Sequence, residues 1–579
     1  MNQEIKICQN CKKDFIIDPD DFAFYEKIKV PPPTWCPECR LKRILVWRNE
    51  RILYKRKCNL CGKSIITIYH PDSPYAVYCL DCYWSDKWDP YSYARTYNFK
   101  KPFFEQLGEL FFRTPKRAMG NTGANNCEYV NNAIDNSNCY LIFNSGNNED
   151  SSYSSGIRKC RDVMDVHYGE NLEQCYGVVN AQNCSRCTNS ENISDCVDVH
   201  LSMDLRGCQN CFGCVDLTRK NYHFFNVPLS KEQWEEKIKD FFGSLNSLSL
   251  IIKKFKEFSL KFPKRYSNIY KSSNCIGDYI FESKNAKNCL EAMRCEDCKN
   301  GLFVRLLKDS IDVAGFGYNS ELLLSCMAVG YSSRVIGCSN MKDGQDVYYS
   351  LLTNASQECI GCDGLKNAKN CVLNKQYTQE EYEKIKNHII EELKQKGVYG
   401  LGLPSSLSPW AYNETMAQEI FPLTKEQALE QGYSWKDPEP RDYQITIKPQ
   451  DLPDHIKDVP ETITKEVIGC SHEGKCNEQC TEAFRIIPQE LQFYRKMNLP
   501  LPRLCPNCRH YGRLKQRNPL KLWKRQCQCT GEKSENGVYQ NTTSHNHGNS
   551  PCPHEFETPY SPDRPEIVYC EECYLKEVV

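Results

Sequence analysis

Cysteine pairs near both ends of the chain carry the most specific chemical signal in this sequence of 579 residues. Two thiolates spaced as Cys-x-x-Cys can face one ion from a tight turn, and two such pairs complete the tetrahedral four-sulfur shell that suits Zn2+. Four pairs follow one another near the N-terminus: Cys8/Cys11, Cys36/Cys39, Cys58/Cys61 and Cys79/Cys82. We pair the first with the second and the third with the fourth, although spacing alone also permits interleaved pairing. Iron is the weaker alternative for the same ligands.

The same arrangement returns near the C-terminus. Intervals of 24, 18 and 17 residues separate corresponding cysteines in both copies, and the text between them matches, as in TWCPECR and RLCPNCR. The predicted ligands of the second copy are Cys476, Cys480, Cys505, Cys508, Cys527, Cys552, Cys570 and Cys573. We therefore expect four Zn2+ ions per chain. Closed four-sulfur sites hold a fold together and leave no open position for catalysis, so we expect structural sites.

The second copy departs from the first in its first and third pairs. Its first pair is one residue wider, and Cys470 and His472 lie just upstream as competitors for that site. Its third pair is split by a polar insertion that contains histidines. Spacing selects Cys527 and Cys552 as ligands. The possible substitutes are Cys529, His545, His547 and His554.

A basic segment with interleaved aromatics follows the second pair in each copy. Between Cys36 and Lys57 there are eight basic residues against two acids, and the other copy has seven and no acid. We read both segments as helices that could contact RNA or DNA by phosphate pairing and base stacking, or else as solvated faces. The candidate contacts are Arg43, Arg48, Arg51, Arg56, Arg513, Arg517, Lys524 and Arg525.

Composition limits the class of protein. The 74 basic and 74 acidic residues balance, so no global field draws the chain to nucleic acid or membrane. No signal peptide or membrane span is apparent, and an odd count of 37 cysteines, many in pairs, favours metal thiolates in a reducing compartment. We expect a soluble cytoplasmic protein without a membrane partner; a secreted disulfide protein is the alternative.

The middle of the chain is rich in Asn, Ser, Asp, Tyr and Cys. Short apolar snippets alternate with turn residues, which is typical of a β-solenoid whose coils bury their faces by stacking. We expect interior cysteines to serve as small buried residues and stacked asparagines to form ladders, with an irregular period. Cys211/Cys214 and Cys359/Cys362 have the spacing of a metal pair but lack a second pair, so we place them among the buried thiols.

The sequence of the central region is also duplicated, and each of its two blocks ends in a predicted helix. The fold class that we predict is multidomain α+β, with duplicated zinc-ribbon or treble-clef-like modules at both ends and two β-solenoid-like blocks with closing helices between them. The predicted segments are a double-site zinc module (1–100), a first solenoid-like block (101–228), a helical connection (229–268), a second block (269–376), a helix with a Pro-rich linker (377–467) and a second double-site zinc module (468–579).

Phrases such as PPPTWCPECRLKR, YCLDCYWSDKWDP and RPEIVYCEECY resemble a family of uncharacterised bacterial zinc-ribbon proteins with a similar cysteine-rich middle. The resemblance implies zinc-ribbon or treble-clef-like folds at the metal sites and implies no activity, substrate or catalytic residue.

Two functions follow as expectations. The first is a scaffold or binding protein built on structural zinc, with RNA, DNA or other proteins as partners. The alternative is an enzyme with its active site on the solenoid groove and an unknown substrate, for which carbohydrate is one class. Asp165-Val166-His167 and Asp198-Val199-His200 are the segments that would do acid–base work there if they aligned on adjacent coils, and we favour the solvent-facing interpretation.

Overall fold

The computed structural model of the chain describes residues 3–439, 441–531, 533–534 and 539–578. It contains two β-solenoids in the middle of the chain and small α+β modules at both ends, as the sequence predicts. The elements before the first solenoid are β1 (Glu4–Ile7), β2 (Asp14–Ile17), α1 (Pro19–Ile28), α2 (Pro37–Leu45), β3 (Tyr54–Lys57), β4 (Ser64–Thr67), β5 (Val77–Tyr78), α3 (Leu80–Trp84), α4 (Phe103–Arg113) and β6 (Lys116–Arg117).

The first solenoid is a stack of short parallel strands. Its strands are β7 (Asn121–Thr122), β8 (Asn131–Ile134), β9 (Phe143–Gly146), β10 (Ser155–Arg158), β11 (His167–Glu173), β12 (Val179–Ser185), β13 (Glu191–Ser194), β14 (Val197–His200), β15 (Gln209–Phe212), β16 (Asn221–Phe224) and β17 (Val227–Pro228). Each residue pairs with the one twelve positions later, as in His167 with Val179. The prediction of an irregular period was therefore wrong for this block, because one coil takes twelve residues throughout.

The twelve-residue coil is built from triplets. From Asn126 to Phe225, one residue in every three has a positive φ, and most of these are Asn, Asp or Gly. These are the residue types that tolerate the left-handed region, so they turn the chain at each corner. The residue after each corner points inward, and the buried apolar core contains only this one triplet position.

The interior of so narrow a coil admits only small side chains, which explains the cysteines. Cys139 and Cys187 are among the buried thiols, and each Sγ lies 3.2–3.4 Å from the carbonyl oxygen two residues earlier. Asparagines stack in ladders, with Asn171 Nδ2 donating to Asn183 Oδ1 at 2.9 Å. Both predictions, of buried thiols and of amide ladders, are confirmed.

The connection and the second solenoid repeat this plan. The connection contains α5 (Lys231–Ile238), α6 (Leu245–Ser259) and β18 (Lys264–Arg265). The strands of the second solenoid are β19 (Ile269–Tyr270), β20 (Ile276–Phe281), β21 (Lys284–Met293), β22 (Glu296–Lys299), β23 (Leu302–Gly330), β24 (Ser333–Ile336), β25 (Ser339–Tyr348), β26 (Asn354–Ile360), β27 (Lys369–Val372) and β28 (Lys375–Gln376). Here the triplet phase shifts twice. Ile269 pairs with Ile280, eleven residues on, and the amide of Leu323 reaches Ser310, thirteen residues back.

One device closes the final coil of each solenoid. The side chain of Asn226 donates to the carbonyl oxygen of Val215 and accepts from its amide, both at 2.9 Å. Asn374 does the same for Asp363, both at 2.8 Å. Each amide side chain thus replaces the backbone of a missing next coil. An antiparallel turn and a capped helix follow, α5 after the first block and α7 after the second.

The remaining elements follow the second solenoid. They are α7 (Gln379–Gln395), α8 (Met416–Ile420), α9 (Lys425–Glu430), β29 (Ile468–Gly469), β30 (Ala483–Phe484), α10 (Pro488–Lys496), α11 (Pro506–Leu514), β31 (Trp523–Gln526), β32 (Cys529–Thr530), β33 (Lys533–Ser534), β34 (Glu555–Thr558), β35 (Val568–Tyr569) and α12 (Glu571–Val578). The basic segment after Cys36 is helical only to Leu45. Residues 46–53 are irregular, and β3 follows them. The expectation of a helix along the whole segment was wrong.

Each end module contacts both solenoids. In the N-terminal module, α2 packs on β23 of the second solenoid, and β5 pairs with β6 at the start of the first. In the C-terminal module, α11 packs on β11 of the first solenoid, and β35 pairs with β18 at the start of the second. The two halves of the chain are therefore crossed over one another.

Candidate metal centres

Four sets of four cysteines come together, two in each end module. The sets are Cys8, Cys11, Cys36 and Cys39; Cys58, Cys61, Cys79 and Cys82; Cys470, Cys480, Cys505 and Cys508; and Cys527, Cys552, Cys570 and Cys573. In each set the four sulfur atoms lie within 4.8 Å of one another. A tetrahedron with Zn–S bonds of about 2.3 Å has S···S edges of about 3.8 Å. The described sulfur–sulfur contacts of 3.7–4.0 Å match that edge.

The first set shows how the local sequence builds a centre. The turn between β1 and β2 holds Cys8 and Cys11, with the Cys8 amide donating to the Lys13 carbonyl at 2.8 Å. Cys36 precedes α2 as its N-cap, and its amide donates to Cys8 Sγ at 3.2 Å. A β-turn pair and a helix N-terminus thus meet at one point. The partial positive charge at the helix N-terminus favours thiolates there.

The second set repeats this construction with β3, β4 and α3. Cys58 and Cys61 lie between the two strands, Cys79 is the N-cap of α3, and its amide donates to Cys58 Sγ at 3.2 Å. Cys61 Sγ lies 3.9 Å from Cys79 Sγ. The predicted pairing of neighbouring cysteine pairs is the one found in both sets, and no interleaving occurs.

The third set contains Cys470 where the sequence selected Cys476. Cys470 directly follows β29, as Cys8 directly follows β1. Its Sγ accepts a hydrogen bond from the Cys505 amide at 3.3 Å, just as the Sγ of Cys8 accepts one from the Cys36 amide. Cys476 lies in the longer turn beyond it, with its Sγ 3.7 Å from Cys508 Sγ. Cys470 therefore occupies the position equivalent to Cys8, and Cys476 lies at the side of the cluster.

The fourth set joins cysteines on both sides of the polar insertion. Cys527 Sγ accepts a hydrogen bond from the Cys570 amide at 3.1 Å, just as Cys58 Sγ accepts one from the Cys79 amide. Cys552 Sγ lies 3.9 Å from Cys570 Sγ and 3.7 Å from Cys573 Sγ. The structure thus brings together the four cysteines that spacing selected.

Hydrogen bonding between two thiols of a set lowers the pKa of one and raises the pKa of the other, as in Cys36 and Cys39. The hydrogen bond with Cys39 lowers the pKa of the Cys36 thiol to about 5, against the opposing effect of burial. In the fourth set, the hydrogen bond with Cys527 is the main cause that holds the pKa of Cys570 far below its ordinary value. Metal ligation requires the thiolate, so a centre that already holds one thiolate at neutral pH is suited to a cation.

The cysteines of the solenoids have different surroundings. Cys211 Sγ donates to the Gln209 carbonyl at 3.2 Å, and Cys359 Sγ donates to the Gln357 carbonyl at the same distance. Both are fully buried in the apolar columns of their solenoids. All 37 cysteines lie within the described residues, and each is a free thiol.

Most of the candidate nucleic-acid contacts point inward. Arg43 donates to the Gly402 carbonyl at 2.7 Å, Arg48 pairs with Glu50 at 2.5 Å, and Arg51 lies over the ring of Phe143. In the second copy, Arg513 pairs with Asp165 at 2.7 Å, and Arg517 lies 3.0 Å from the His167 ring nitrogen. Side-chain exposures of 3 % for Arg48 and 7 % for Arg513 leave no surface for a phosphate.

The other three candidates lie nearer to solvent. Arg56 is half-buried and donates to the His70 and Tyr75 carbonyls, both at 3.2 Å. Lys524 is exposed and pairs with Glu555 at 2.5 Å, while Arg525 donates to Gln528 at 2.7 Å. The basic segments therefore serve mainly as internal contacts.

The two Asp-Val-His segments do not align. They are 33 residues apart, and a coil takes twelve residues, so they occupy different corners. Asp165 is buried, with ion pairs to Arg509 and Arg513 at 3.0 and 2.7 Å. His200 is buried against Thr188 and the ring of Phe242, and burial lowers its pKa to about 4. Asp165 and His200 are thus occupied within the protein.

Comparisons of the chain with models of protein families and with curated proteins each gave no match. The zinc-ribbon resemblance therefore rests on the phrases around the cysteines and on the clusters themselves. Among the described residues, no helix has both the length and the apolar character needed to cross a membrane.

Proposed function

We propose that this protein is a scaffold in which four structural zinc ions lock two β-solenoids together through the end modules. The observation that carries the proposal is the position of the clusters. Each contains a cysteine next to an element that either packs on a solenoid strand, as α2 and α11 do, or pairs with the strand just before a solenoid, as β5 and β35 do. Metal binding would therefore fix these contacts as well as the module.

The joints at the starts of the solenoids depend on the second and fourth sets. Cys79 follows β5 directly, and the Lys116 amide of β6 donates to the Ala76 carbonyl at 2.8 Å. Cys570 follows β35 directly, and the Lys264 amide of β18 donates to the Ile567 carbonyl at 2.7 Å. Zinc at these sets would hold the strand that immediately precedes the first coil of each solenoid.

Buried ion pairs lie at the same two contacts between module and solenoid. Lys116 pairs with Asp363 of the second solenoid, with side chains 1 % and 0 % exposed. Lys264 pairs with Asp204 of the first at 3.1 Å. Because an uncompensated buried charge is costly, these pairs tolerate little displacement. The module must therefore be held rigidly, which a closed four-sulfur site does.

The chemistry of the sets suits a structural role. Cys39, Cys82, Cys508 and Cys573 are buried, and the four sulfurs of each set lie close enough together to supply all four ligands of one tetrahedral ion. Structural zinc supplies about 10–16 kcal/mol of apparent binding free energy in small modules with little core. That amount suffices to fold modules of this size.

Hydrogen exchange with and without a chelator tests the proposal. We expect the purified chain to contain zinc, and metal removal to expose the amides of Lys116 and Lys264 while the middle coils stay protected. Cys39→Ser should lower the metal content, whereas Cys359→Ser in the second solenoid should leave it unchanged. Unchanged protection of both amides after complete metal removal would overturn the proposal.

A further inference from the structure

The insertion that splits the third cysteine pair of the C-terminal module carries a second donor set. Cys529 lies in β32 two residues after Cys527, and the Cys552 amide donates to the Cys529 carbonyl at 2.8 Å. The insertion between Cys529 and Cys552 therefore begins and ends at the fourth cysteine set. The corresponding pair of the N-terminal module, Cys58/Cys61, has no such insertion.

Four donor atoms from this segment and from α12 converge. They belong to Cys529, His545, His547 and Cys573, and they lie within 4.8 Å of one another. Cys529 Sγ lies 3.6 Å from His545 Nδ1, and Cys573 Sγ lies 3.4 Å from His547 Nε2. Zn–S and Zn–N bonds of about 2.3 and 2.05 Å at tetrahedral angles give an S···N edge of about 3.6 Å.

The nitrogen of each histidine that faces away from the cluster already has a partner. His545 Nε2 lies 2.8 Å from Glu577 Oε1, with side chains 1 % and 0 % exposed. His547 Nδ1 lies 2.6 Å from the Ser550 carbonyl oxygen, which can only accept a hydrogen bond, so Nδ1 carries the hydrogen and donates. Protons on these nitrogens leave the opposite nitrogens free to bind a cation. A carboxylate or carbonyl behind the imidazole is the usual support of a metal-ligating histidine.

Cys573 faces both donor sets. Its Sγ lies 3.7 Å from Cys552 Sγ of the fourth cysteine set and 3.4 Å from His547 Nε2. A thiolate sulfur has more than one lone pair and can bridge two metal ions. Cys529 is held separately, accepting from Asn541 Nδ2 at 3.2 Å.

We propose that the C-terminal module binds a fifth Zn2+ through Cys529, His545, His547 and Cys573, with the Cys573 thiolate bridging to the zinc of the fourth cysteine set. The bridge rests on the proposed function, since it requires that zinc. With two sulfur and two nitrogen ligands the fifth site is closed, so its role is to fold the insertion onto α12.

Native mass spectrometry of the zinc-loaded full chain tests this site. We expect five ions in the unaltered protein and four in His547→Ala, with His388→Ala, an exposed histidine of α7, still binding five. Cys573→Ser should lose two ions and Cys570→Ser one. Glu577→Gln should keep the site but weaken its zinc affinity 10- to 100-fold, because the carboxylate orients His545.

The outcomes separate the two proposals. Four ions in the unaltered protein, with no effect of His547→Ala, would overturn the fifth site and leave the four structural sites standing. No bound metal at all would overturn both. Five ions with a loss of only one in Cys573→Ser would overturn the bridge. As a second measurement, zinc-edge anomalous diffraction should show two peaks beside the Cys573 sulfur if the bridge exists, and a single peak there would overturn it.

Discussion

Arg40 of the N-terminal module donates from Nη2 to Asp312 Oδ1 of the second solenoid at 3.2 Å, and Arg40 Nε contacts the other carboxylate oxygen. Arg40 follows the cysteine pair Cys36/Cys39 directly, and the corresponding Arg509 follows Cys505/Cys508 and pairs with Asp165 of the first solenoid at 3.0 Å. The same contact therefore joins each module to the solenoid of the other half of the chain.

Loss of the Arg40 guanidinium should destabilise this joint strongly. The side chains of Arg40 and Asp312 are 5 % and 0 % exposed, so Arg40→Ala leaves a buried carboxylate whose remaining hydrogen-bond donor among the described residues is Asn300, at 2.9 Å. We expect a loss of about 3–5 kcal/mol in the free energy of unfolding, measured by urea denaturation with zinc present.

A matched control is the exposed pair that links the same module to the same solenoid. Lys27 pairs with Asp309 at 2.7 Å, and its side chain is 52 % exposed. Lys27→Ala should cost at most about 1 kcal/mol, because exposed pairs are screened by solvent. Equal costs for the two substitutions would contradict a buried joint.

Metal content should separate Cys470 from Cys476. Cys470 occupies the position of Cys8, whereas Cys476 lies in a wider turn beside Cys508. We expect Cys470→Ser to lose one bound ion by native mass spectrometry and Cys476→Ser to retain the full number. The reverse pattern would restore the ligand set that spacing alone selected.

The left-handed corners predict a specific response to substitution at Asn183. Asn183 has a φ of 51°, is exposed, and donates to Asp195 at 2.9 Å. Asn183→Val should cost about 1–2 kcal/mol more than Asn183→Gly, since both lose the hydrogen bonds with Asn171 and Asp195 but only valine is strained. The neighbouring Gln182→Val, at a position of ordinary φ, is the control. Thermal unfolding measures all three, and equal midpoints for valine and glycine at Asn183 would contradict strained corners.

Glu291 should make stability depend on pH. It lies in the second solenoid against Arg517, with Tyr168, Arg305 and Asp278 nearby, and burial raises its pKa to about 7. The unfolded state, with an ordinary pKa near 4.3, releases the proton earlier, so the folded state holds more protons between these values. Stability from the protonated form is present at low pH and is lost as pH rises through about 7.

The comparison with Glu291→Gln isolates this effect. Between pH 5.5 and 8 we expect the unaltered protein to lose about 2 kcal/mol relative to the variant in urea unfolding, from the pKa difference at 1.36 kcal/mol per unit. If the free energy of unfolding of the unaltered protein instead rises relative to that of Glu291→Gln between pH 5.5 and 8, Arg517 holds Glu291 ionised and the prediction is wrong.

Ligand spacing predicted the metal sets because it reflects local geometry. Cys36 and Cys39 share one turn at a helix N-terminus, and this is legible in the sequence. Spacing selected Cys476 and left Cys470 as a competitor, because the position of Cys470 is set by the pairing of Ile468 with Phe484, which no count of residues reveals. Where a turn lengthens, the nearest cysteine in sequence is not the nearest in space.

The solenoids and the arginines show what sequence reasoning can and cannot predict here. The cysteines of the first block, from Cys127 through Cys139 and Cys160 to Cys214, are all separated by multiples of three, so the triplet was readable, although the irregular snippets concealed it. The burial of Arg513 was not readable. Its partner Asp165 lies 348 residues away, and a cluster of positive charges looks the same whether it faces solvent or a carboxylate.

The crossed contacts also set an order of events during synthesis. Helix α2 leaves the ribosome early, yet the strand that covers it, β23, ends only at Gly330. The first solenoid remains uncovered for longer, because α11, which packs on its strand β11, begins only at Pro506. Its uncovered side must remain soluble until nearly the whole polypeptide has emerged, so a nascent chain arrested before that point should be a good client for chaperones.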